Sequence, residues 1–271
     1  MKDKVVIVTG ASSGIGWATV IEFLEQGSKL VLASRGVEQV DLSVLDAYKN
    51  DYIAINTDVS KEIDCKFLIE ETIKTFGKID VLINNAGISM HALFEDVDLD
   101  VLRKSMDVNY WGAVYCTKYA LPHLFESKGS VVAVSSIAGY KGLPARVGYA
   151  SSKFALHGFV DVLRSENQKT GLHVLLFAPG YTASNIRNAA LLADGSEQGN
   201  SPRVEEKMMS ASKVAKYLYK AVEKRKREVI LTPIGKATVI MNKIFPAFVD
   251  KRIFKSISKE AHSPLKKFLK K

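Results

Sequence analysis

The sequence predicts an α/β fold, with a doubly wound, seven-stranded parallel sheet that carries helices on both faces. Two observations predict this fold. Seven short apolar runs rich in β-branched residues recur along the chain, and segments with apolar residues at three- and four-residue intervals lie between them. Strands that are apolar throughout are typical of a parallel sheet buried on both faces, and right-handed helical crossovers wind such a sheet in both directions.

The predicted elements alternate from the amino terminus onward. The strands are Val5–Val8, Leu30–Ala33, Tyr52–Ile55, Val81–Ile83, Val131–Val134, Val174–Phe177 and Val229–Leu231. Helical spacing predicts helices in Lys61–Phe76, Leu99–Phe125 and Tyr149–Thr170. Gly77 and Gly171 are predicted helix stops, because glycine readily takes the left-handed conformation that ends many helices.

Length and charge indicate one domain with a basic tail. The chain has 271 residues, and no interior run of Gly, Pro or Ser marks a domain boundary. Residues 1–235 are the predicted Rossmann-type domain, and residues 236–271 are a basic helical extension of that domain. From residue 213 onward, 17 Lys and Arg residues stand against 4 Asp and Glu residues, so the net charge of +9 is concentrated in this part of the chain.

The sequence argues against disulfides, a metal site, a membrane-spanning helix and a leader peptide. Cys65 and Cys116 lack a CxxC spacing and clustered His partners, so we predict two buried thiols and neither a disulfide framework nor a metal site. No apolar run approaches the roughly 18 residues that a membrane-spanning helix needs. The first apolar stretch leads into a glycine loop and is therefore a strand and not a leader peptide. We expect a cytoplasmic protein, with peripheral membrane contact as an option.

A glycine-rich loop joins the first predicted strand to the first predicted helix. It reads Thr9-Gly10-Ala11-Ser12-Ser13-Gly14-Ile15-Gly16. Glycines permit a tight turn and close approach of the backbone to a pyrophosphate, while the start of the following helix supplies amide donors. The loop therefore predicts a dinucleotide site. The predicted contacts here are Gly10, Ser12, Ser13, Gly14, Ile15 and Gly16.

Ser136, Tyr149 and Lys153 have the spacing of an acid–base site. Tyr149 and Lys153 are four residues apart, so they share one face of a helix, where an ammonium group can favour ionisation of the phenol. The phenol needs this help because the reference pKa of tyrosine is about 10. A serine hydroxyl can hold a substrate oxygen while the phenol gives or takes its proton. These three residues predict chemistry on a carbonyl and its alcohol.

Further motifs follow in order along the chain. Asn84-Asn85-Ala86-Gly87 follows the fourth predicted strand, Asn109 lies in the next helical segment, and Pro179-Gly180 follows the sixth strand. With the glycine loop, which has the spacing TGxxxGxG, these motifs resemble the short-chain dehydrogenase/reductase family. The C-terminal region more weakly resembles the hydroxysteroid dehydrogenase-like subgroup. The resemblance implies an oxidoreductase that forms homodimers or homotetramers.

The resemblance also implies a role for each catalytic residue. Tyr149 would be the general acid/base, and Lys153 would lower its pKa and hold the nicotinamide ribose. Ser136 would orient the carbonyl, with Ser135 as a rival, and Asn109 would anchor a water relay. Hydride would pass between the nicotinamide and the substrate carbon.

The residues after the second strand favour NADP(H) over NAD. NAD sites usually place a carboxylate here to accept from the ribose 2′-hydroxyl, whereas this chain reads Ala33-Ser34-Arg35. We predict that Ser34 and Arg35 contact the 2′-phosphate; alternatively, Arg35 is a solvated residue facing NAD. The other predicted cofactor contacts are Asp58, Val59, Asn85, Ala86, Gly87, Tyr149, Lys153, Pro179, Gly180 and Thr182. Asp58 could instead be a helix N-cap, and Thr182 and Ser184 are the predicted carboxamide contacts.

The substrate side is less specific. Mostly apolar or aromatic side chains follow motifs at the carboxyl ends of the strands, so we expect a lipophilic ketone or secondary alcohol. These side chains are Met90, His91, Tyr140, Leu143, Pro144 and Tyr181. Residues 185–202 resemble the family's substrate lid, or are an ordinary surface connection.

The basic tail combines apolar and cationic residues. Thr238–Ile257 has apolar residues at four-residue intervals, and Pro246 predicts two short helices or a kink in place of one long helix. This surface either docks on an anionic membrane or packs on the body or a second subunit. Lys224-Arg225-Lys226-Arg227 is interpreted as a solvated turn, since no base-reading motif accompanies it and specific nucleic-acid binding is not expected.

Two other functions remain open from the sequence. One is a non-catalytic dinucleotide sensor or membrane-associated scaffold. The other is different short-chain reductase chemistry, such as 3-oxoacyl or enoyl reduction with NAD(H). A complete set of Asn109, Ser136, Tyr149 and Lys153 favours the enzyme, because binding alone does not need the phenol.

Overall fold

Seven parallel strands form one sheet in the computed structural model, which describes residues 1–183, 185–200, 208–260 and 262–269. The strands of this sheet are β1 (Val5–Thr9), β2 (Lys29–Ser34), β3 (Tyr52–Asn56), β4 (Val81–Asn84), β5 (Ser130–Val134), β6 (His173–Ala178) and β9 (Glu228–Ile230). Their order is β3-β2-β1-β4-β5-β6-β9, and every pair is parallel. This order confirms the predicted doubly wound sheet. A separate two-stranded pair, β7 (Thr182–Ala183) and β8 (Met209–Ser210), was not predicted.

Helices cover both faces of the sheet. They are α1 (Gly14–Glu25), α2 (Glu62–Phe76), α3 (Leu99–Met106), α4 (Gly112–Glu126), α5 (Val147–Glu166), α6 (Ala211–Glu223), α7 (Pro233–Ile244) and α8 (Pro246–Ile257). Gly77 caps α2 as predicted. The helix predicted to reach Thr170 ends at Glu166, because the Asn167 side chain donates to the Leu163 carbonyl and the chain then turns.

Alternate residues of each strand face two different core clusters. On β1, Ile7 packs with residues of α2, α4 and α5, whereas Val6 and Val8 pack with residues of α1 and α6. Both faces of the central strands are therefore buried, which explains why they are apolar throughout. Cys65 and Cys116 are free and fully buried in the first cluster, in agreement with the sequence prediction.

The predicted helix Leu99–Phe125 is interrupted. Residues Asp107–Trp111 form a π-helical turn between α3 and α4. This turn could not be predicted, because apolar residues continue at three- and four-residue intervals through it. Single π turns inside helices are common at functional sites.

The tail forms two helices that meet at Pro246, as predicted. Ile257 of α8 and Leu265 beyond it pack on Leu93 and Ala145 of the body. The opposite apolar residues Ile240, Ile244, Phe245 and Phe248 remain more than half exposed. No helix among the described residues is both long and apolar enough to cross a membrane. The domain division at residue 235 stays a prediction.

The basic run Lys224–Arg227 joins α6 to β9. Arg225 donates to the carbonyl oxygens of Lys128 and Gly171, and Arg227 pairs with Asp161 at 3.3 Å. Two of its four cations are therefore engaged with the body of the protein.

Candidate active site

The predicted site residues converge at the carboxyl ends of β1, β4, β5 and β6. The glycine loop follows β1, Asn85 and Gly87 follow β4, Ser136 follows β5 and Gly180 follows β6. In a doubly wound sheet the ligand crevice lies outside these strand ends. Helix α5 brings Tyr149 and Lys153 to the same edge.

The Ser136 hydroxyl lies near Tyr149 and acts to lower the pKa of its phenol. It also accepts from the backbone amide of Ala138 at 3.2 Å, in the short turn that follows β5. Lys153 lies one helical turn beyond the tyrosine, with its Nζ atom 5.8 Å from the centre of the phenol ring. Its ammonium group is buried and donates to the Val134 carbonyl at 2.9 Å. Serine, phenol and ammonium group therefore form one compact assembly.

Ser135 points away from this assembly. Its buried hydroxyl lies 2.6 Å from Nε2 of His157, on the opposite side of the extended chain from Ser136. Burial lowers the pKa of His157 to about 4, so this histidine is neutral near neutral pH. The geometry therefore favours Ser136 over its neighbour as the substrate-orienting serine.

Burial changes the proton affinity of both central groups. It raises the pKa of Tyr149 above its ordinary value, against the opposing effects of the Ser136 hydroxyl and the positive charges of Arg146 and Arg187. Burial also lowers the pKa of Lys153 to about 8, because an ammonium group is poorly solvated there. The phenol is thus protonated near neutral pH, the form that can donate a proton.

Asn109 occupies the middle of the π turn and is almost completely buried. Its Oδ1 accepts from the Ile88 amide at 2.7 Å, and its Nδ2 donates to the Ile88 carbonyl and to Ser152 Oγ, both at 2.9 Å. A Cβ atom placed on Gly87 would lie 3.2 Å from Asn109 Oδ1 and 3.5 Å from Lys153 Nζ. The bare glycine thus lets the asparagine and the lysine approach the same point.

The glycine loop is held in a tight turn by its neighbours. Gly10 has a left-handed φ of 65°, and a Cβ atom on Gly16 would lie 2.1 Å from the Gly10 carbonyl oxygen. Asn85 fixes the loop by donating to the Thr9 carbonyl at 2.9 Å, while the amides of Asn85 and Ala86 donate to Thr9 Oγ1. No side chain caps the first turn of α1 at Ser13, so its amide groups suit a phosphate.

Ser34 and Arg35 lie where the second strand ends. Ser34 is buried, yet its hydroxyl has no hydrogen-bond partner among the described residues. Arg35 is exposed beside it. An orphaned hydroxyl next to a free-standing guanidinium group fits a phosphate-bearing ribose, because both groups would then gain acceptors.

The remaining predicted cofactor residues are engaged within the protein. The Asp58 carboxylate accepts from the amide and hydroxyl of Ser60, and the N-cap of α2 is Lys61, so Asp58 is not that helix's cap. Val59 is buried beneath Gly112. Thr182 donates to the Gly180 carbonyl at 3.1 Å, directly after Pro179. Ser184 lies outside the described residues.

Comparison with known proteins agrees with this geometry. The sequence model of the family described as short chain dehydrogenase matches residues 4–195, which include the glycine loop and every residue of the Asn109, Ser136, Tyr149 and Lys153 set. The chain is a short-chain dehydrogenase. It therefore belongs to an oxidoreductase family with an NAD(P)-binding fold.

Several relatives support the family assignment of this short-chain dehydrogenase. It is 36% identical over 239 residues to dehydrogenase/reductase SDR family member 7B of Mus musculus, covering 86% of this chain and 74% of the relative. It is 40% identical over 194 residues to 11-beta-hydroxysteroid dehydrogenase A of Arachis hypogaea, covering 70% and 55% of the two chains. The second relative confirms the hydroxysteroid dehydrogenase-like resemblance.

A solved structure confirms the fold of the short-chain dehydrogenase. A short chain dehydrogenase/reductase of Burkholderia phymatum, in complex with NAD, superposes with a TM-score of 0.81 over 91% of this chain and 95% of its own. The two chains are 22% identical, so the likeness concerns the fold alone.

The substrate side of the short-chain dehydrogenase differs in part from the sequence prediction. Met90 is completely buried and packs with Val101, Leu191 and the Tyr149 ring, so it is core beneath the phenol and does not line an open pocket. Tyr140 turns away, because its hydroxyl donates to Glu228 at 2.5 Å and its ring packs on His157. Tyr181 is half exposed after the Pro-Gly motif.

Leu143 and Pro144 line a different space. With Val147, Phe154 and Ile253 they border a groove of about 630 Å³ between the start of α5 and α8. The α5 residues of this groove lie on the opposite face of the helix from Tyr149 and Lys153, as the helical period requires. The groove is therefore not the continuation of the catalytic crevice.

The described part of the predicted lid packs against the loop after β4. The His91 amide donates to the Leu191 carbonyl at 2.7 Å, and the Leu191 amide donates to the Ser89 carbonyl at 2.9 Å. His91 is buried, with its Nδ1 atom 2.8 Å from Gln198 Oε1. Residues 201 and 202 of the predicted lid lie outside the described residues.

Two cations that act on the Tyr149 phenol were not predicted from the sequence. Arg146 precedes Tyr149 by three residues and Arg187 follows β7, and both favour the ionised phenol. The spacing of Arg146 was visible in the sequence, whereas the position of Arg187 depends on the fold. Within the described ranges, no group of three His, Cys, Asp or Glu side chains could hold a metal ion.

Proposed function

We propose that this short-chain dehydrogenase interconverts a lipophilic ketone and its secondary alcohol with NADP(H) as the hydride carrier. The observation that carries the proposal is the position of the Tyr149 phenol near the Ser136 hydroxyl and the buried Lys153, whose Nζ atom lies 5.8 Å from the centre of the phenol ring. When bound, the dinucleotide supplies or accepts the hydride. In the reducing direction, Ser136 donates a hydrogen bond to the carbonyl oxygen and Tyr149 donates the proton that this oxygen gains.

Lys153 and Asn109 support this proton transfer. Lys153 would hold the nicotinamide ribose, and its positive charge would favour the phenolate left after the proton has moved. Asn109 lies close to the same lysine and would anchor the water molecules that return a proton to the site. The bonds of Asn109 to Ile88 and Ser152 keep its side chain in one orientation for this role.

The preference for NADP(H) rests on residues 33–35. The NAD complex of the Burkholderia phymatum structure belongs to a protein with the same fold, so the fold does not choose between the two dinucleotides. In this chain Ala33-Ser34-Arg35 contains no carboxylate to accept from a ribose 2′-hydroxyl. The unpartnered Ser34 hydroxyl and the Arg35 guanidinium group favour a 2′-phosphate.

A lipophilic substrate is supported by the surroundings of the phenol. The Tyr149 ring packs among Met90, Val101, Leu191 and the partly buried Ile88, all of them apolar. The Arachis hypogaea relative is called an 11-beta-hydroxysteroid dehydrogenase, a name that implies a large apolar alcohol. A steroid or a similarly apolar carbonyl compound fits such surroundings better than a sugar.

A panel of compounds tests this function. Purified protein is incubated with NADPH and ketosteroids, retinal, long-chain carbonyl compounds or ketose sugars, and with NADP⁺ and the matching alcohols. We expect a change in nicotinamide absorbance with an apolar compound, and at least about tenfold lower kcat/KM with sugars. Turnover of sugars alone would contradict the proposed substrate class.

We also propose that the protein is a cytoplasmic homodimer or homotetramer. Exposed apolar side chains on the π turn and on α5 are available for self-association. These include Trp111, Phe154 and Val162, each at least 40% exposed. Aromatic side chains are enriched at interfaces between subunits.

Peripheral contact with an anionic membrane is the proposed role of the tail. Ile240, Ile244, Phe245 and Phe248 expose apolar surface on α7 and α8, and cationic residues including Lys243, Lys251 and Arg252 lie between them in the sequence. Apolar side chains that enter the interface and cations that face anionic lipids together stabilise such binding.

Flotation with liposomes tests the membrane contact. We expect the protein to float with vesicles that contain phosphatidylserine, and the double substitution Phe245→Glu and Phe248→Glu to lower the bound fraction about tenfold, because it removes apolar surface and adds negative charge. Ile63→Glu is the matched control, since Ile63 is a 70% exposed apolar residue on α2. Equal flotation of all three proteins would refute the contact.

A further inference from the structure

A buried ionic cluster lies beside the first turn of α5. Arg146 donates to the Met90 carbonyl at 3.0 Å and its Nη2 atom lies 3.5 Å from Glu260 Oε2. The side chains of Arg146 and Glu260 are only 13% and 5% exposed. His91 completes the cluster, with its Nε2 atom 4.0 Å from Glu260 Oε2.

The cluster joins four separate parts of the chain. His91 belongs to the loop after β4, Arg146 to the start of the catalytic helix, and Glu260 to the tail beyond α8. Gln198, from the predicted lid, binds the other ring nitrogen of His91. The tail therefore contacts the start of α5 directly through Glu260, and the lid contacts the same cluster through His91.

Arg146 is close enough to Tyr149 to act on it electrostatically. It lies three residues before the tyrosine at the N-terminus of α5, a spacing that places both on neighbouring turns. The positive charge of Arg187 and the Ser136 hydroxyl also act to lower the pKa of the phenol. Lys153, the other cation beside the phenol, loses its charge as the pH rises through about 8, whereas a guanidinium group keeps its charge.

Several charged or titratable groups lie around Arg146 in the described part of the chain. Glu260 is an anion paired with it, His91 lies 4.0 Å from the Glu260 carboxylate, and the charge of His262 lowers the pKa of His91. Burial and the Arg146 charge lower the pKa of His91, so this ring is neutral above neutral pH. In that range Glu260 is a buried anion that partly compensates the positive charge of Arg146.

We infer that Arg146 is a positioning residue whose buried charge favours the ionised form of Tyr149, and that Glu260 in the tail weakens this effect. The inference rests on the proposed function, because it concerns the acid–base group of that reaction. The tail would thereby influence the catalytic phenol without touching it. A tail that moved away from α5 would leave the charge of Arg146 less compensated.

Tyrosine titration tests this inference directly. The full-length protein is labelled with ¹³C at tyrosine Cζ, and the Tyr149 resonance is assigned by its absence in Tyr149→Phe. For Arg146→Gln we expect the titration midpoint to rise by about one pH unit, because a cation that stabilises the phenolate is lost. For Glu260→Gln we expect it to fall by a similar amount, because the arginine is no longer compensated.

The opposite directions separate an electrostatic role from a structural one. Both substitutions break the same ion pair, so damage to packing alone would move the midpoint in one common direction. Arg146→Lys keeps the charge and should restore the wild-type midpoint, and Arg103→Gln, an exposed arginine on α3, should leave it unchanged. Shifts in the same direction, or no shift in either variant, would overturn the inference.

Two further measurements test the folding of each variant and the proposed function. Circular dichroism shows whether each variant is folded; if Arg146→Gln is not, Glu260→Gln and Arg146→Lys still decide the question. If Tyr149→Phe retains full turnover, the proposed function fails, whatever the titration gives. If Tyr149→Phe is inactive and the midpoint does not respond to Glu260→Gln, only the present inference fails.

Discussion

Replacing Tyr149 by Phe is expected to reduce kcat about 10²- to 10⁴-fold, the range contributed by a general acid or base. The substitution removes the phenol oxygen near the Ser136 hydroxyl and leaves the ring in its apolar cluster. The fold and the dinucleotide site should therefore persist. Initial rates with an accepted substrate and NADPH, together with NADPH fluorescence titration, measure the two effects separately.

Tyr140→Phe is the matched control for this experiment. Tyr140 is also partly buried and hydrogen-bonded, but its hydroxyl donates to Glu228, away from the site. This variant should lose less than about threefold in kcat, because it changes no group that faces the substrate. Unchanged turnover in Tyr149→Phe would remove the enzyme mechanism proposed here and favour the non-catalytic sensor or scaffold.

Replacing Arg35 by Asp is expected to reverse the choice of dinucleotide. The wild-type protein should bind NADPH at least about tenfold more tightly than NADH, since one charge-assisted hydrogen bond contributes roughly 1.5–3 kcal/mol. In Arg35→Asp the new carboxylate repels the 2′-phosphate and can accept from a free 2′-hydroxyl, so NADH should bind more tightly than NADPH. Fluorescence titration with both reduced dinucleotides measures the ratio.

A second substitution, at Ser34, tests whether the preference for NADPH arises at the 2′-phosphate. Ser34→Ala should weaken NADPH binding by about three- to tenfold and hardly affect NADH, because only the phosphate would engage the otherwise unpartnered hydroxyl. Tighter NADH binding by the wild-type protein would show instead that Arg35 is a solvated residue facing NAD.

Much of the fold could be predicted from local patterns in the sequence. The β-branched runs of β1, β2 and β5 form strands because burial on both faces rewards an apolar residue at every position. Gly77 caps α2, and Pro246 separates α7 from α8. Both effects could be predicted because each residue acts on the local backbone. Right-handed crossovers then restrict the orders in which these strands can be arranged.

The residues whose positions were wrongly predicted are oriented by contacts between segments that are distant in the sequence. Met90 and Tyr140 both follow strand ends, but neighbouring side chains decide their orientation, and these lie far away in the sequence. Likewise, the pairing of Arg146 with Glu260 joins residues 114 positions apart. Spacing within a motif can predict Ser136, Tyr149 and Lys153 as one group, but it cannot reveal which distant charges surround that group.

The π turn at Asp107–Trp111 joins α3 to α4 without a break and lets the two helices pack against different parts of the protein. Before the turn, Val101 and Ser105 of α3 are buried on the side of α5. After it, Cys116 and Leu124 of α4 face α2. Each π turn widens the helix by one residue, which shifts the phase of all later side chains by about 100°. The apolar stripes of α3 and α4 can therefore evolve out of phase with each other, while Asn109 stays fixed at the joint.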